Sequence, residues 1–415
     1  MTKSSIYFLI VLFSITNCFS QSKNNSALEL KKDTTPIVNA KSLYPFYKKL
    51  TNQNTELIRV VHWGDSHIQM GYMSEEIRYR IDSTFKLNGF GSIFPYKAAN
   101  YNPNYSYTRI KNGKWIGGNI MKDSLSVSSG FMGFWTKTYD STAAIQFGIS
   151  KTPLFQDGNT HITIFYTSDA DTKVEFSGAN LKKDSTVFFN AIYSTIEYSK
   201  DQKWKVCKLI FDQEVSTIEV NIQNNIGPNG VNIHGAVFEK SWDKGVTYNS
   251  CGVGGAQIKH LNQNTNTLIN QISYLNTNLI IISFGSNESY TPQFDSVLYR
   301  NGVIQLVDEI RKEIPGISIL FTGPPDTRSK NRFPRNTSAI CSIFKELSIE
   351  KGFAYWDVRS AMGGEGSIQV WLSKGLASTD KLHFTKKGYA LHGKWLFNAI
   401  HREYEKYLQI ATYEK

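Results

Sequence analysis

The sequence predicts an α/β sandwich built on a doubly wound parallel sheet, interrupted by an inserted antiparallel β-sandwich. Continuous apolar runs at 279–284 and 317–321, with a third around 353–356, have the composition of strands buried on both faces. Helical apolar repeats separate them, and strand–helix alternation of this kind builds a parallel sheet. Between about 97 and 242 the pattern changes to short β-branched or alternating runs punctuated by turn residues, the signature of an antiparallel sandwich. With 415 residues, 40% of them hydrophobic, the chain has enough apolar material for a sizeable core, which excludes a disordered or fibrous protein.

The elements follow in order. Residues 1–20 have the layout of an export signal: Lys3, an apolar stretch at 6–15, and a small-x-small pattern at Cys18-Phe19-Ser20, with a cut expected after Ser20. The stretch is too short to span a bilayer comfortably, so no stable membrane span is expected after cleavage. The mature chain is expected to be periplasmic, secreted or at the cell surface. Lipidation at Cys18 is the alternative, and Asn17 is a poor residue just before a lipidated Cys. Residues 21–45, rich in Ser, Asn, Lys and Thr, read as a linker.

The first part of the α/β unit is expected over 46–96. It holds a strand at 57–63 that ends at Gly64-Asp65-Ser66-His67. Met73, Ile77, Ile81 and Phe85 then recur every four residues along one side of a helix. The insert, 97–242, contains strand runs at 161–167, 173–176, 186–193, 204–211, 217–222 and 231–238. The second part of the α/β unit, 243–415, carries the three apolar strands. Its helices are marked by Val303, Leu306, Val307, Ile310 and Ile314, by Ile340, Phe344 and Leu347, and by Leu396, Phe397, Ile400 and Tyr404 within a last helix at about 385–408.

The net charge of +11 falls to about +10 without residues 1–20. The basic residues are scattered singly or in short pairs, with no aromatic–basic nucleic-acid module, so no nucleic-acid partner is expected. An anionic envelope polymer, or simply a soluble basic surface, accounts for that charge. Cys207, Cys251 and Cys341 allow at most one intramolecular disulfide in the mature chain. No metal-ligand spacing occurs, and His62, His161, His234, His260, His392 and His401 are read as structural or surface residues. No metal or organic cofactor is expected.

Three segments carry polar residues at or near the carboxyl ends of expected strands, where open α/β sheets place their sites. Ser66 in Gly64-Asp65-Ser66-His67 sits on a strand-to-helix turn that exposes a hydroxyl and leaves its own N–H ready for an oxyanion; a simple capped turn explains the motif equally well. Asn287, in Ser283-Phe284-Gly285-Ser286-Asn287-Glu288, offers a side-chain donor to an oxyanion, or serves as an ordinary turn residue. In Asp380-Lys381-Leu382-His383 the i, i+3 spacing lets Asp380 hold one ring nitrogen of His383 while the other faces outward as a base.

Together, and in this order, the segments resemble the SGNH (GDSL-type) hydrolases. Val61-His62-Trp63-Gly64-Asp65-Ser66-His67 is similar to the first block of that family, and Gly285-Ser286-Asn287-Glu288 to the third, with Glu288 where the family usually has Asp. Asp380 and His383 fall at the last block. The second block is similar to 249–257, which implies an oxyanion donor at the Gly255 N–H, or at Gly254 if the register is one residue off. The resemblance implies an SGNH/flavodoxin-like three-layer α/β/α sandwich with catalytic Ser66, Asp380 and His383, and an oxyanion hole of Ser66, Gly255 and Asn287.

The Gly-Asp-Ser-His-Ile form of the first block, Gly89-Phe90-Gly91 and the β-rich insert resemble bacterial peptidoglycan O-acetylesterases, in which the insertion looks like a carbohydrate-binding jelly roll. The expected partner is therefore an acetylated polysaccharide, peptidoglycan glycan strands first and another polymer such as xylan second. The expected reaction is ester hydrolysis through an acetyl-Ser66 intermediate; transfer to an alcohol is the same chemistry with a different acceptor. A carbohydrate-binding surface protein with little activity is the reading from a different class. Trp115, Trp135 and Tyr166 of the insert are candidates to stack on sugars, against the plainer expectation that each packs the sandwich core.

Overall fold

The structure is a computed structural model that describes residues 34–122, 127–150, 158–181, 186–223, 225–329 and 334–413. The expected signal at 1–20 lies outside the described residues. The chain folds as an α/β unit with additional β-rich sheets.

Five parallel strands form the body: β1 (Leu57–Gly64), β2 (Gly245–Gly252), β3 (Leu279–Ser283), β4 (Ser318–Thr322) and β5 (Ala354–Trp356). Their spatial order is β5-β4-β3-β1-β2. The chain thus runs outward from β1 to β2 and returns across β1 to β3. Alternate residues along each strand enter different cores. Val60, Leu279 and Ile281 join Met73 and Ile77 of α1 (Tyr72–Thr84) and Leu396 and Ala399 of α5 (Lys386–Tyr413). Val61, Ile280 and Ile282 join residues of α2 (Thr265–Tyr274), α3 (Ser296–Glu313) and α4 (Thr337–Glu350). Helices on both faces explain why these strands read as continuous apolar runs.

Residues 34–45 correct the expected linker. Ile37 and Val38 pair antiparallel with Trp356 and Tyr355 of β5, and a 3₁₀ turn over Ala40–Leu43 leads into a helix at Tyr44–Leu50. Leu43 and Tyr47 are fully buried. Thr34 and Lys41 are exposed on this edge, while Ile37, Leu43, Phe46 and Leu50 supply the core.

The insert contains two antiparallel sheets. One orders Thr186–Phe189, Val174–Leu181, Thr217–Ile222, Ala144–Ile149 and Ser106–Asn112. The other orders Tyr193–Tyr198, Lys205–Val215, Asn159–Ser168, Val231–Glu239, Phe134–Thr138 and Ile116–Asn119, with Gly91–Ile93 also paired to Val231–Glu239. Phe147, Ile218 and Val220 of the first sheet share a buried cluster with Ile164, Leu209 and Ile233 of the second, as in a face-to-face sandwich. The 186–193 run, expected as one strand, is divided between the two sheets.

The second sheet's other face packs on the α/β unit. Phe165, Val206 and Val237 lie in the same core as α2, and the Phe165 and Trp204 rings lie 5.8 and 5.9 Å from that of Tyr274. Trp63 Nε1 donates to the Phe131 carbonyl at 2.8 Å, and Gln271 Oε1 accepts from the Phe131 N–H at 2.8 Å. Arg59 of β1 makes a two-pronged ion pair with Glu239 of the insert, Nε–Oε1 and NH2–Oε2 both 2.8 Å, with the Glu239 side chain fully buried. Removing one partner of such a pair strands the other charge. Glu239→Ala should therefore cost about 3–5 kcal/mol in chemical denaturation. A loss under about 1 kcal/mol would mean that this ion pair adds little to the joint between the insert and the α/β unit.

Candidate active site

β1 delivers Ser66. Gly64, at its end, has no room for a side chain, since a Cβ there would sit 2.2 Å from Ile68 Cγ1 and 3.1 Å from the Ser283 carbonyl. Asp65 then accepts the His67 N–H at 2.9 Å and caps a single helical turn, Ser66–Gln69. That turn holds the Ser66 side chain half-buried at the carboxyl edge of the sheet.

The bend before α5 delivers the imidazole. Asp380 Oδ1 accepts the Leu382 and His383 N–H groups at 2.9 and 3.0 Å, and Oδ2 lies 2.8 Å from His383 Nδ1. His383 Nε2 lies 3.1 Å from Ser66 Oγ. Burial alone would raise the Asp380 pKa, but the backbone donors and the imidazole outweigh it and hold the carboxylate below its ordinary value. Ser66, His383 and Asp380 therefore form one continuous chain, with the imidazole between hydroxyl and carboxylate.

The other two segments meet beside it. Asn287 Nδ2 donates to the Ala256 carbonyl at 2.9 Å and lies 3.5 Å from Asp65 Oδ2. Gly255 is exposed, with a φ of +84° that disfavours any other residue. The Gly254 N–H is engaged by Gln69 Oε1 at 2.9 Å. Glu288, where the resembled family usually has Asp, binds these loops together: Oε1 accepts the Ile258 N–H at 2.9 Å and Oε2 the Gly285 N–H at 3.2 Å. Burial pushes Glu288 up to about 7, against those donors, and pushes Asp65 up to about 6, against the His67 N–H and the Ser286 hydroxyl.

Two contributors have no signal in the sequence. Gln69 engages Gly254, and Met121 of the insert places its Sδ and Cε 3.5 Å from where a Cβ on Gly255 would lie. The sugar-stacking candidates fare differently, because Trp115 and Tyr166 are buried in the insert and Trp135 is half-buried. Among the described residues, no group of three His, Cys, Asp or Glu side chains is placed to hold a metal ion. None of the described helices is long and apolar enough to cross a membrane.

Residues 227–391 match the family described as "GDSL-like Lipase/Acylhydrolase family". A solved structure titled "Peptidoglycan O-acetylesterase in action, 5 min" superposes with a TM-score of 0.69 at 20% identity, covering 87% of this chain and 96% of that one. The chain has a GDSL/SGNH-type hydrolase fold. The superposition leaves too little of the chain outside it for the inserted sheets to be excluded. The family match begins at residue 227, downstream of Ser66. A lipase/acylhydrolase from Enterococcus faecalis matches 38% of this chain and 76% of its own at 19% identity, with a TM-score of 0.30. No curated protein matches.

The imidazoles of His62, His67, His234 and His392 are buried. His67 lies with its ring 5.7 Å from His383 and its Nδ1 3.2 Å from Tyr389 Oη. His62 bridges Tyr248 Oη and Ser283 Oγ, and the latter pairs with Thr322 Oγ1 at 2.7 Å. Burial pushes His62, His67 and His392 down to about 3 and His234 to about 4 from an ordinary 6.5. Such groups contribute stability in full above about pH 6.5 and lose it as pH falls toward 3–4. The raised Asp65 and Glu288 act oppositely, adding stability below about pH 6–7, but two carboxyls do not balance four imidazoles. The unfolding free energy should therefore be lower at pH 5 than at pH 7.5, each imidazole contributing up to about 1.4 kcal/mol per pH unit. An equal or greater value at pH 5 in denaturant titrations would show these imidazoles to be protonated in the folded state.

Proposed function

We propose that this chain is a serine esterase that removes O-acetyl groups from a cell-envelope polysaccharide, peptidoglycan above others. The observation that carries the proposal is His383 placed between Ser66 Oγ and Asp380, at 3.1 and 2.8 Å. The superposition on a protein titled as a peptidoglycan O-acetylesterase, which extends over the insert, is the reason for preferring that polymer. The order β5-β4-β3-β1-β2 is the flavodoxin-like order read from the other edge, which supports a flavodoxin-like three-layer core at 34–96 and 243–415 with a jelly-roll-like insert at 97–242. Export through residues 1–20 would bring the enzyme to its polymer.

In this reading His383 Nε2 takes the Ser66 proton as Oγ attacks the acetyl carbon. The Ser66 and Gly255 N–H groups and Asn287 Nδ2 receive the charge that develops on the carbonyl oxygen. The engagement of the Gly254 N–H by Gln69 favours Gly255 as the second donor. Collapse of the tetrahedral intermediate returns the proton from His383 to the departing sugar oxygen and leaves acetyl-Ser66. Water, deprotonated by the same nitrogen, then attacks the acetyl carbon; the acetyl–oxygen bond to Ser66 breaks, releasing acetate and restoring the hydroxyl. Asp380 keeps Nδ1 as the protonated nitrogen throughout. No metal or organic cofactor enters these steps.

Ser66→Ala should abolish cleavage of a small acetyl ester without altering the melting temperature, and residual turnover near the parent value would assign the nucleophile elsewhere. Asn287→Ala should lower kcat by about 10²–10³, the scale for one oxyanion donor. A change confined to KM would make Asn287 a substrate-binding residue. Acetate release from O-acetylated peptidoglycan and acetylated xylan, assayed side by side, decides the polymer. Release from xylan alone would overturn the peptidoglycan assignment.

A further inference from the structure

Next to the oxyanion segments the surface opens into a groove of about 490 Å³, within the range of small-ligand sites. The helix Ile258–Gln263 forms one wall and the first half of α3 the other. The groove begins at Gln257 and Glu288. Glu288 adjoins Asn287, and Gln257 is two residues beyond Gly255, a chain distance of at most about 7.6 Å. The Asn287–Ala256 hydrogen bond holds these two starting points together.

Its lining is neutral and amphipathic. Gln257, Gln293 and Gln305 line it with amides, groups that both donate and accept, the Asn262 Nδ2 is engaged by the Gly302 carbonyl at 2.9 Å, and Phe294 and Tyr299 present adjacent rings 5.3 Å apart. Both lining acids are already engaged, Glu288 by Ile258 and Gly285, and Asp295 by the N–H groups of Val297 and Leu298. Asn262 Oδ1 and Tyr299 Oη are buried without a hydrogen-bond partner among the described residues. A nucleic acid would require more cations than Lys259 supplies. An apolar segment would leave the amides unpaired. A pyranose carrying hydroxyls and an N-acyl group satisfies both, with its C–H face against the rings and its polar edge on the amides.

We infer that this groove is a subsite for an N-acylated amino sugar adjoining the acetylated one, which holds the glycan so that the ester reaches Ser66. The inference rests on the esterase reading above only for the position of the reacting sugar. Binding is therefore measured apart from turnover, in the full-length Ser66→Ala chain, by calorimetric titration with the β-1,4-linked tetrasaccharide of N-acetylglucosamine. Adding Gln293→Ala and Gln305→Ala, both exposed positions, should weaken binding about tenfold or more, as expected for lost hydrogen bonds. The corresponding glucose tetrasaccharide, which lacks the acyl amide, should bind the Ser66→Ala chain more weakly. Unchanged affinity in the groove variant, no binding by the Ser66→Ala chain, or equal affinity for the two sugars would each overturn the subsite. If the groove variant loses affinity while the parent chain cleaves no acetyl ester, the subsite stands and the esterase reading fails.

Discussion

Everything at the site depends on the parallel pairing of β1 with β2 on one side and β3 on the other. The register aligns Gly64 with Gly252 of β2 and with Ser283 of β3, so the three strands end at one level. Whatever follows each strand must then emerge on the same edge, within side-chain reach of the others. Ser66, Gly255 and Asn287 are 2, 3 and 4 residues beyond those strand ends. Because the chain turns outward after β1 and returns past it to β3, the connections after these two strands diverge. The resulting crevice is where open α/β sheets hold ligands. The fourth participant, the loop before α5, reaches the same edge because α1 and α5 pack side by side beneath one face.

The insert uses the same logic. It leaves the α/β unit shortly after α1 and returns directly into β2, so its seven-stranded sheet is anchored at both ends next to the strand that precedes Gly255. Its buried rear face, the Trp63–Phe131 hydrogen bond and the Arg59–Glu239 pair make it a wall of the α/β unit rather than a tethered module. Excising 97–242 would expose Tyr274, against which Phe165 and Trp204 pack, and strand Arg59. Met121 carries that wall to Gly255, one of the proposed oxyanion donors.

How far the sequence reveals this depends on where each residue's partners lie. Asp380 and His383 are three residues apart, and their mutual geometry follows from one bend; that pairing was legible. Ser66 and His383 are separated by 317 residues, and only the order of the family-like segments linked them. The apolar strands β3, β4 and β5 were legible because both faces are covered by helices. β2 was not, because Thr247, Asn249 and Ser250 interrupt its apolar pattern. Thr247 and Ser250 are buried yet bonded, Thr247 Oγ1 to Glu239 of the preceding insert strand at 2.9 Å and Ser250 Oγ to Ser74 Oγ, 176 residues away, at 2.7 Å. The edge at 37–45 was hidden because only Ile37, Val38 and Leu43 mark it, in a two-residue strand and a short 3₁₀ turn with no periodic pattern. Gln69, Met121 and the groove along α3 have no sequence pattern, since strand order alone brings them together.

The loop geometry also bears on how the proposed oxyanion hole is kept ready. Asn287 has two amide hydrogens and two neighbours of unequal hold, the Ala256 carbonyl at 2.9 Å and Asp65 at 3.5 Å. The tight bond fixes the plane of the amide, and the long one leaves the second hydrogen only loosely engaged. A firmly ionised carboxylate at that position would compete with a developing oxyanion for the same donor. The His67 N–H and the Ser286 hydroxyl engage Asp65 and draw its charge away from Asn287, against the burial that raises it to about 6. Glu288, raised by burial to about 7, is engaged in turn by the Ile258 and Gly285 N–H groups. The burial that makes these groups costly to ionise also makes their hydrogen bonds rigid. A donor aimed in advance, on a framework that need not reorganise, is the condition under which one amide hydrogen is worth several kcal/mol to a transition state.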